Sequence, residues 1–200
     1  MTGRILPVIL AAGRASRFNG EKLGRECAGR PVGSWVIGAF ENADSGHGVV
    51  IAREAMPDFV RGTGWDVVVN DAPERGIGYS IALAARAAED QDAAGVLIAL
   101  GDMPLVPEGH FRQMFTEALR GAAIVATRYP GGALGVPASF AAELFGELAM
   151  LDGDRGAADL LHRNDRRVML TANPDWLVDV DTVVGLRRAE SLLNRREGRR

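Results

Sequence analysis

Leu6-Pro7-Val8-Ile9-Leu10 is an unbroken apolar run, and it opens directly into Ala11-Ala12-Gly13-Arg14-Ala15-Ser16-Arg17-Phe18-Asn19-Gly20-Glu21-Lys22. A short apolar run ended by small residues reads as a strand buried on both faces, the kind found inside parallel sheets. The stretch after it is a loop carrying three cations, Arg14, Arg17 and Lys22. Small residues let backbone N–H groups approach an anion, and a mobile ammonium supplies a point charge for phosphate. Lys22 is the sole lysine among 23 basic side chains, arginine being this chain's ordinary surface cation. The loop is read as a phosphate-binding segment, the bland alternative being a flexible surface loop.

Outward from this unit, short β-rich runs alternate with segments of helical period. Residues 32–42 place Trp35, Val36, Ala39 and Phe40 on one helical stripe. Strands are expected at 49–52, 65–69, 96–100 and 123–127, and helices at 54–62, 77–90 and 107–120. Pro107 suits the first turn of the last of these. Beyond residue 128 the pattern predicts a glycine-rich turn at 131–135, helices near 138–148 and 154–163, strands at 167–171 and 176–180, and a helix over 182–196. This β-α alternation implies a mostly parallel sheet with helices on both faces, and ligands beyond the carboxyl ends of its strands. No linker or repeat divides the chain, so residues 1–200 are expected to form a single domain.

Composition narrows the function classes. A formal charge of −3 and a pI near 5.7 argue against a nucleic-acid partner. No apolar stretch approaches the ~20 residues of a membrane span. The start of the chain does not read as a signal peptide, and Cys27 is alone, excluding a disulfide framework. A cytoplasmic location is the natural expectation.

The first loop is neither a Walker A motif nor a dinucleotide fingerprint, because G-x-x-x-x-G-K-[ST] and G-x-G-x-x-G are both missing there. Gly13, Arg17 and Lys22 remain, a spacing able to wrap a triphosphate. The second candidate site is Leu100-Gly101-Asp102-Met103-Pro104, which follows the most apolar strand. An aspartate there faces the crevice and suits Mg²⁺, a hard cation with oxygen ligands; turn chemistry is the alternative. The third is Asp179-Val180-Asp181-Thr182, where helix capping is the alternative. On an extended segment the two aspartates share a face with Asp179 ~6–7 Å deeper, so Asp181 is the expected ligand.

Leu10-Ala11-Ala12-Gly13-Arg14-Ala15-Ser16-Arg17-Phe18 through Lys22-Leu23 resembles the L-A-A-G-x-x-x-R-[MF]-…-K signature of the MobA-like nucleotidyltransferases. Within that family it looks most like the molybdenum cofactor cytidylyltransferases. The likeness continues through Gly76-Ile77-Gly78-Tyr79-Ser80-Ile81, Leu100 to Pro104, Gly132 to Pro137, Gly153-Asp154-Arg155-Gly156-Ala157 and Asp179 to Thr182. The resemblance implies a three-layer αβα, Rossmann-like nucleotidyltransferase fold and a nucleoside triphosphate bound with Mg²⁺. Nucleotide contacts would come from Leu10, Ala11, Ala12, Gly13 and Arg14, with Arg17 and Lys22 on the triphosphate and Gly78 and Ser80 near the base or ribose. Asp102 and Asp181 would hold the metal, and Arg17, Lys22 and Asp102 would carry catalysis. A phosphorylated acceptor, molybdopterin cofactor by this resemblance, would attack the α-phosphorus and release pyrophosphate. A molybdoenzyme or its maturation chaperone would receive the product.

The Ala-Ala-Gly form is closer to the cytidylyl branch than to the guanylyl branch, which makes CTP the expected donor. Three departures from the family pattern stand out: Gly24-Arg25-Glu26-Cys27-Ala28 after the lysine, Ala158 where an arginine is usual, and Val183-Val184-Gly185 after Thr182. Guanylyl or sugar-phosphate transfer, or a non-catalytic cofactor carrier, are the competing readings. The three histidines, His47, His110 and His162, lie outside the motif blocks and form no triad with them.

Overall fold

The computed structural model describes residues 3–13, 22–43, 45–53, 56–163 and 166–197. In chain order its strands are β1 (Ile5–Leu10), β2 (Glu26–Cys27), β3 (Arg30–Pro31), β4 (Val49–Ala52), β5 (Asp66–Val69), β6 (Gly95–Leu100), β7 (Ile124–Arg128), β8 (Leu134–Ala141) and β9 (Arg167–Thr171). The helices are α1 (Val32–Glu41), α2 (Gly76–Asp90), α3 (Glu108–Leu119), α4 (Phe145–Leu148), α5 (Ala158–Arg163) and α6 (Val183–Glu197). Seven strands form one sheet in the order β5-β4-β1-β6-β8-β7-β9, and β2 pairs with β3 in a separate ribbon. Within the seven-stranded sheet β8 runs antiparallel to both its neighbours and the other pairings are parallel; the β2–β3 ribbon is antiparallel.

Both faces of the sheet are covered, giving three layers. Along β1, Leu6, Val8 and Leu10 enter the core under α2, α4 and α5, whereas Ile5 and Ile9 enter the core under α1 and α3. That is the two-residue period of a strand with no solvent face. α2 is alanine-rich on its inner stripe, so its backbone approaches the sheet closely. On the other face Phe40 of α1 stacks on Phe111 of α3 with ring centroids 4.0 Å apart. A third cluster, around Cys27, Val32, Leu105, Val180 and Leu193, fastens α6 to the region beside β2 and the turn after β6.

Four expectations are corrected. The helix near 138–148 is instead mostly β8, and only Phe145–Leu148 is α-helical. Ala138, Ser139 and Phe140 are all buried because β8 is flanked by β6 and β7, so no alternation of polar and apolar residues reveals a strand. The strand at 176–180 is a 3-10 turn, Pro174–Leu177, opened by the Asn173 side chain accepting from the Asp175 amide. The extended residues after it join no ladder. Their anchor is a bond from the Val180 amide to the Asp102 carbonyl, at 2.9 Å. The 54–62 helix reduces, among the described residues, to the 3-10 turn Asp58–Val60; residues 54 and 55 lie outside them. The 154–163 helix begins only at Ala158.

Among the described residues, buried polar groups away from the crevice are few, and His110 is one. It is 4% exposed, and its Nε2 lies 2.9 Å from Thr127 Oγ1. The Thr127 hydroxyl donates its one hydrogen to the Pro137 carbonyl at 2.7 Å, so the imidazole is the donor in the first contact. Burial pulls the His110 pKa down from 6.5 to about 4. The folded-state value being depressed, its stabilising effect is complete above the unfolded pKa of 6.5 and is lost as pH falls through about 4. We expect roughly 3 kcal/mol of acid destabilisation from this group across that window. His110→Gln, compared with wild type by denaturant unfolding at pH 7 and pH 4.5, should lose distinctly less stability on acidification. Equal losses in both proteins would show that His110 does not carry the acid sensitivity.

Candidate functional site

A crevice of about 890 Å³ opens beyond the carboxyl ends of β1, β4 and β6, lined among others by Ala12, Gly13, Lys22, Arg53, Ser80 and Asp102. The ladder extends past the strands to shape its floor. The Ala11 amide donates to Ile51 and the Gly101 amide to Leu10, at 2.8 and 3.0 Å. Arg53, just after β4, donates from Nε to the Ala12 carbonyl at 3.2 Å. In a trans peptide the C=O and the next N–H point opposite ways, so this contact also orients the Gly13 amide. A Cβ built on Gly13 would meet nothing within 4 Å, leaving that backbone open to a bound group.

Lys22 begins a 3-10 turn, Lys22–Gly24, and its side chain is 13% exposed. Its Nζ lies 2.5 Å from Asp102 Oδ2 and 2.7 Å from Asp181 Oδ1. The two aspartates are 79 residues apart in the chain yet share one ammonium, so their oxygens are separated by no more than the sum of those distances. The Val180-to-Asp102 backbone bond explains the approach, because it seats the Asp179–Asp181 segment beside the turn after β6. Burial alone would lower the Lys22 pKa, but Asp102 and then Asp181 outweigh it and hold it above the ordinary value.

The remaining oxygen of Asp102, Oδ1, is buried and has no hydrogen-bond partner among the described residues. An unpaired buried carboxylate oxygen is costly and calls for a cation or donor. Asp179 joins the same acidic cluster. Its carboxyl is pushed up to about 6, by desolvation first and then by Asp102 and Asp181, with Lys22 opposing. Tyr129 lies within electrostatic reach of this cluster; desolvation, then Asp179 and Asp102, push its phenol up to about 12. Its hydroxyl donates to the Val136 carbonyl at 2.6 Å.

A divalent cation suits this donor set. Two carboxylates, one with an orphaned oxygen, offer hard ligands on one side of the crevice, and phosphate oxygens and water complete an octahedron for such an ion. Among the described residues no group of three or more His, Cys, Asp or Glu could hold a metal by itself. A metal at Asp102 and Asp181 would therefore take its remaining ligands from water or phosphate oxygens.

Residues 7–168 match the profile of the MobA-like NTP transferase domain. The chain belongs to that family. It is 27% identical over 193 residues to the purine catabolism protein PucB of Bacillus subtilis, covering 89% of this chain and 92% of that one. Its structure is similar to Rv0371c from Mycobacterium tuberculosis H37Rv, with a TM-score of 0.77, 28% identity, and 94% and 98% of the two chains covered. The Rv0371c complex with manganese gives a TM-score of 0.74 at 28% identity, covering 96% of this chain and 100% of that one. A nucleotidyl transferase from Methanothermobacter shares the fold at a TM-score of 0.79 and 21% identity, with 96% and 99% coverage.

Of the described residues in the MobA-like motif blocks, Leu10, Ala11, Ala12, Gly13, Lys22, Ser80 and Asp102 line the crevice. Arg14 and Arg17 lie outside the described residues. Ser80 is buried and accepts from Asn70 Nδ2 at 2.9 Å, while Asn70 Oδ1 accepts from the Ala72 amide. That leaves the Ser80 hydroxyl hydrogen for a ligand. Gly78 is placed differently from its expected nucleotide contact. A Cβ there would lie 2.6 Å from the Asp152 carbonyl carbon, and its amide donates to Gly153 at 2.9 Å. Its absence of a side chain lets α2 meet the 152–154 loop. Sequence reasoning missed Arg53, Asn70 and Tyr129. Arg53 carried a usable signal, a cation one residue past the end of a parallel strand; the other two carried none.

Proposed function

We propose that this chain is a divalent-metal-dependent nucleotidyltransferase that moves a nucleotidyl group, preferably cytidylyl from CTP, onto a phosphorylated acceptor with release of pyrophosphate. The observation carrying this reading is the convergence of Lys22, Asp102 and Asp181 at the mouth of the crevice, with Asp102 Oδ1 left unpartnered. The whole of residues 1–200 is taken to work as one domain in the cytoplasm. Molybdopterin cofactor is the proposed acceptor and a molybdoenzyme or its maturation chaperone the proposed recipient, both on the motif resemblance.

In this mechanism the backbone at Ala12 and Gly13 cradles the phosphates, with the peptide between them oriented by Arg53. Lys22, with Arg17 from the signature, neutralises the triphosphate, and Ser80 donates its hydroxyl hydrogen toward the base or ribose. Asp102 and Asp181 would hold Mg²⁺, which would supply neutralising charge to the transferring phosphoryl group and the departing pyrophosphate. An acceptor phosphate oxygen forms the new bond to the α-phosphorus in line, and the bond from that phosphorus to the β-phosphate oxygen breaks. Positioning and charge stabilisation suffice for such a step, so no covalent nucleophile is needed. The manganese complex of Rv0371c supports a divalent-metal reading.

CTP should outcompete GTP. Incubation with equal CTP and GTP, Mg²⁺ and candidate phosphorylated acceptors, molybdopterin forms included, reads the choice by which nucleotide enters product. Preferential use of GTP would move the chain to guanylyl transfer within the same family. No pyrophosphate from any nucleotide and acceptor pair would support the non-catalytic carrier.

A further inference from the structure

A lysine ammonium lies between the two carboxylates that the preceding reading gives to the metal, 2.5 Å from Asp102 Oδ2 and 2.7 Å from Asp181 Oδ1. A divalent ion coordinated there would need oxygens at ~2.0–2.1 Å, and an ammonium at its present place would face it at contact distance with like charge. The two cations cannot occupy the site together. The same ammonium is also the group that the reading assigns to the triphosphate. We infer that Lys22 occupies the metal site of the nucleotide-free protein and that the nucleotide exchanges it for the divalent cation, so that metal binding depends on nucleotide. This inference rests on the metal assignment to Asp102 and Asp181.

The local architecture suits such an exchange. The Lys22 carbonyl accepts from the Arg25 amide at 3.3 Å, so the backbone is held within its short turn. Four methylenes then let the ammonium relocate by rotamer changes alone. Lys22, Ala12, Gly13 and Asp102 all line one crevice, so the charged group moves from carboxylate to phosphate without crossing the apolar core. The ammonium is also an incomplete occupant, because it leaves Asp102 Oδ1 buried and unpartnered. A lysine that completed the site would resist displacement more strongly. One that left both carboxylates free would not couple the two ligands at all.

The test is Mn²⁺ binding, followed by electron paramagnetic resonance of the free ion, with and without a non-hydrolysable CTP analogue. Wild type should bind Mn²⁺ at least tenfold more tightly with the analogue than without it, within the ordinary span of coupling between two ligands, ~5–150-fold. Lys22→Met should bind Mn²⁺ alone at least ~10-fold more tightly than wild type does. Lys22→Gln repeats the measurement should the methionine variant fold poorly. Arg25→Gln removes the same unit of charge from the same crevice and should change Mn²⁺ affinity far less. Equal nucleotide-free affinity in wild type and both Lys22 variants overturns the exchange, as does an equal gain from Arg25→Gln. Asp102→Asn separates the two layers of argument. If it leaves nucleotide-dependent Mn²⁺ binding unchanged, the metal assignment itself fails. If it abolishes that binding while the Lys22 variants match wild type, only the exchange fails.

Discussion

Asp102→Asn is expected to lower the rate of pyrophosphate release by roughly 10³-fold, equivalent to about 4 kcal/mol of transition-state stabilisation. Asparagine keeps the shape of the side chain and removes its charge. The fold should survive, because the contact that seats the neighbouring segment runs from the Val180 amide to the Asp102 backbone carbonyl. The buried Oδ1 is the atom whose loss matters, since no group among the described residues satisfies it. Asp181→Asn should be milder, about tenfold, because the Asp181 side chain is 59% exposed and water can replace its oxygen. Steady-state pyrophosphate release at saturating CTP and metal, with circular dichroism to check folding, measures both. A folded Asp102→Asn protein with near-normal turnover would remove Asp102 from the reaction.

That ranking of the two aspartates was accessible from the sequence only in part. Leu10 and Asp102 stand at or just past the ends of long apolar runs, and in a parallel sheet such positions converge on one crevice. The runs at 5–10, 49–52 and 96–100 carry this signal because β1, β4 and β6 lie in the interior of the sheet with helices on both sides. β8 defeats the same reasoning. Its buried centre is Ala138-Ser139-Phe140, with no β-branched residue to mark a strand, and it is a strand only because β6 and β7 offer it hydrogen bonds on both edges. The segment before Asp181 fails in the opposite direction. Val178 and Val180 alternate like a strand, yet Val180 is buried against Leu105 and α6, and the segment makes no ladder.

The depth argument that set Asp181 above Asp179 assumed a regular strand, and the segment that bears them is not one. Asp179 is close enough to Asp102 and Asp181 for both charges to raise its pKa, after desolvation. Asp181 is distinguished instead by its direct contact with Lys22. The motif reading also treated Lys22 as a phosphate ligand alone. Its pairing with two aspartates at 80 and 159 residues' separation has no local sequence signature, because it depends on where the Asp179–Asp181 segment docks.

Lys22→Ala should lower turnover about 100-fold, or ~3 kcal/mol, even though metal affinity in the absence of nucleotide is expected to rise. The opposite signs follow from the two places the ammonium occupies. Without nucleotide it competes with the cation for Asp102 and Asp181, so its removal favours metal. During transfer it stabilises charge developing on the triphosphate, and that loss is felt in kcat. Lys22→Arg should not restore full activity, because a planar guanidinium cannot reproduce the compact ammonium that fits between two carboxylates and then turns to phosphate. The metal-free alanine variant should also melt below wild type, since Asp102 and Asp181 lose their shared counter-ion while Asp179 stays beside them. Added Mn²⁺ should recover most of that difference, which separates lost charge balance from a misfolded loop. Near-normal pyrophosphate release by folded Lys22→Ala protein would exclude the lysine from the chemistry, whatever its effect on metal binding.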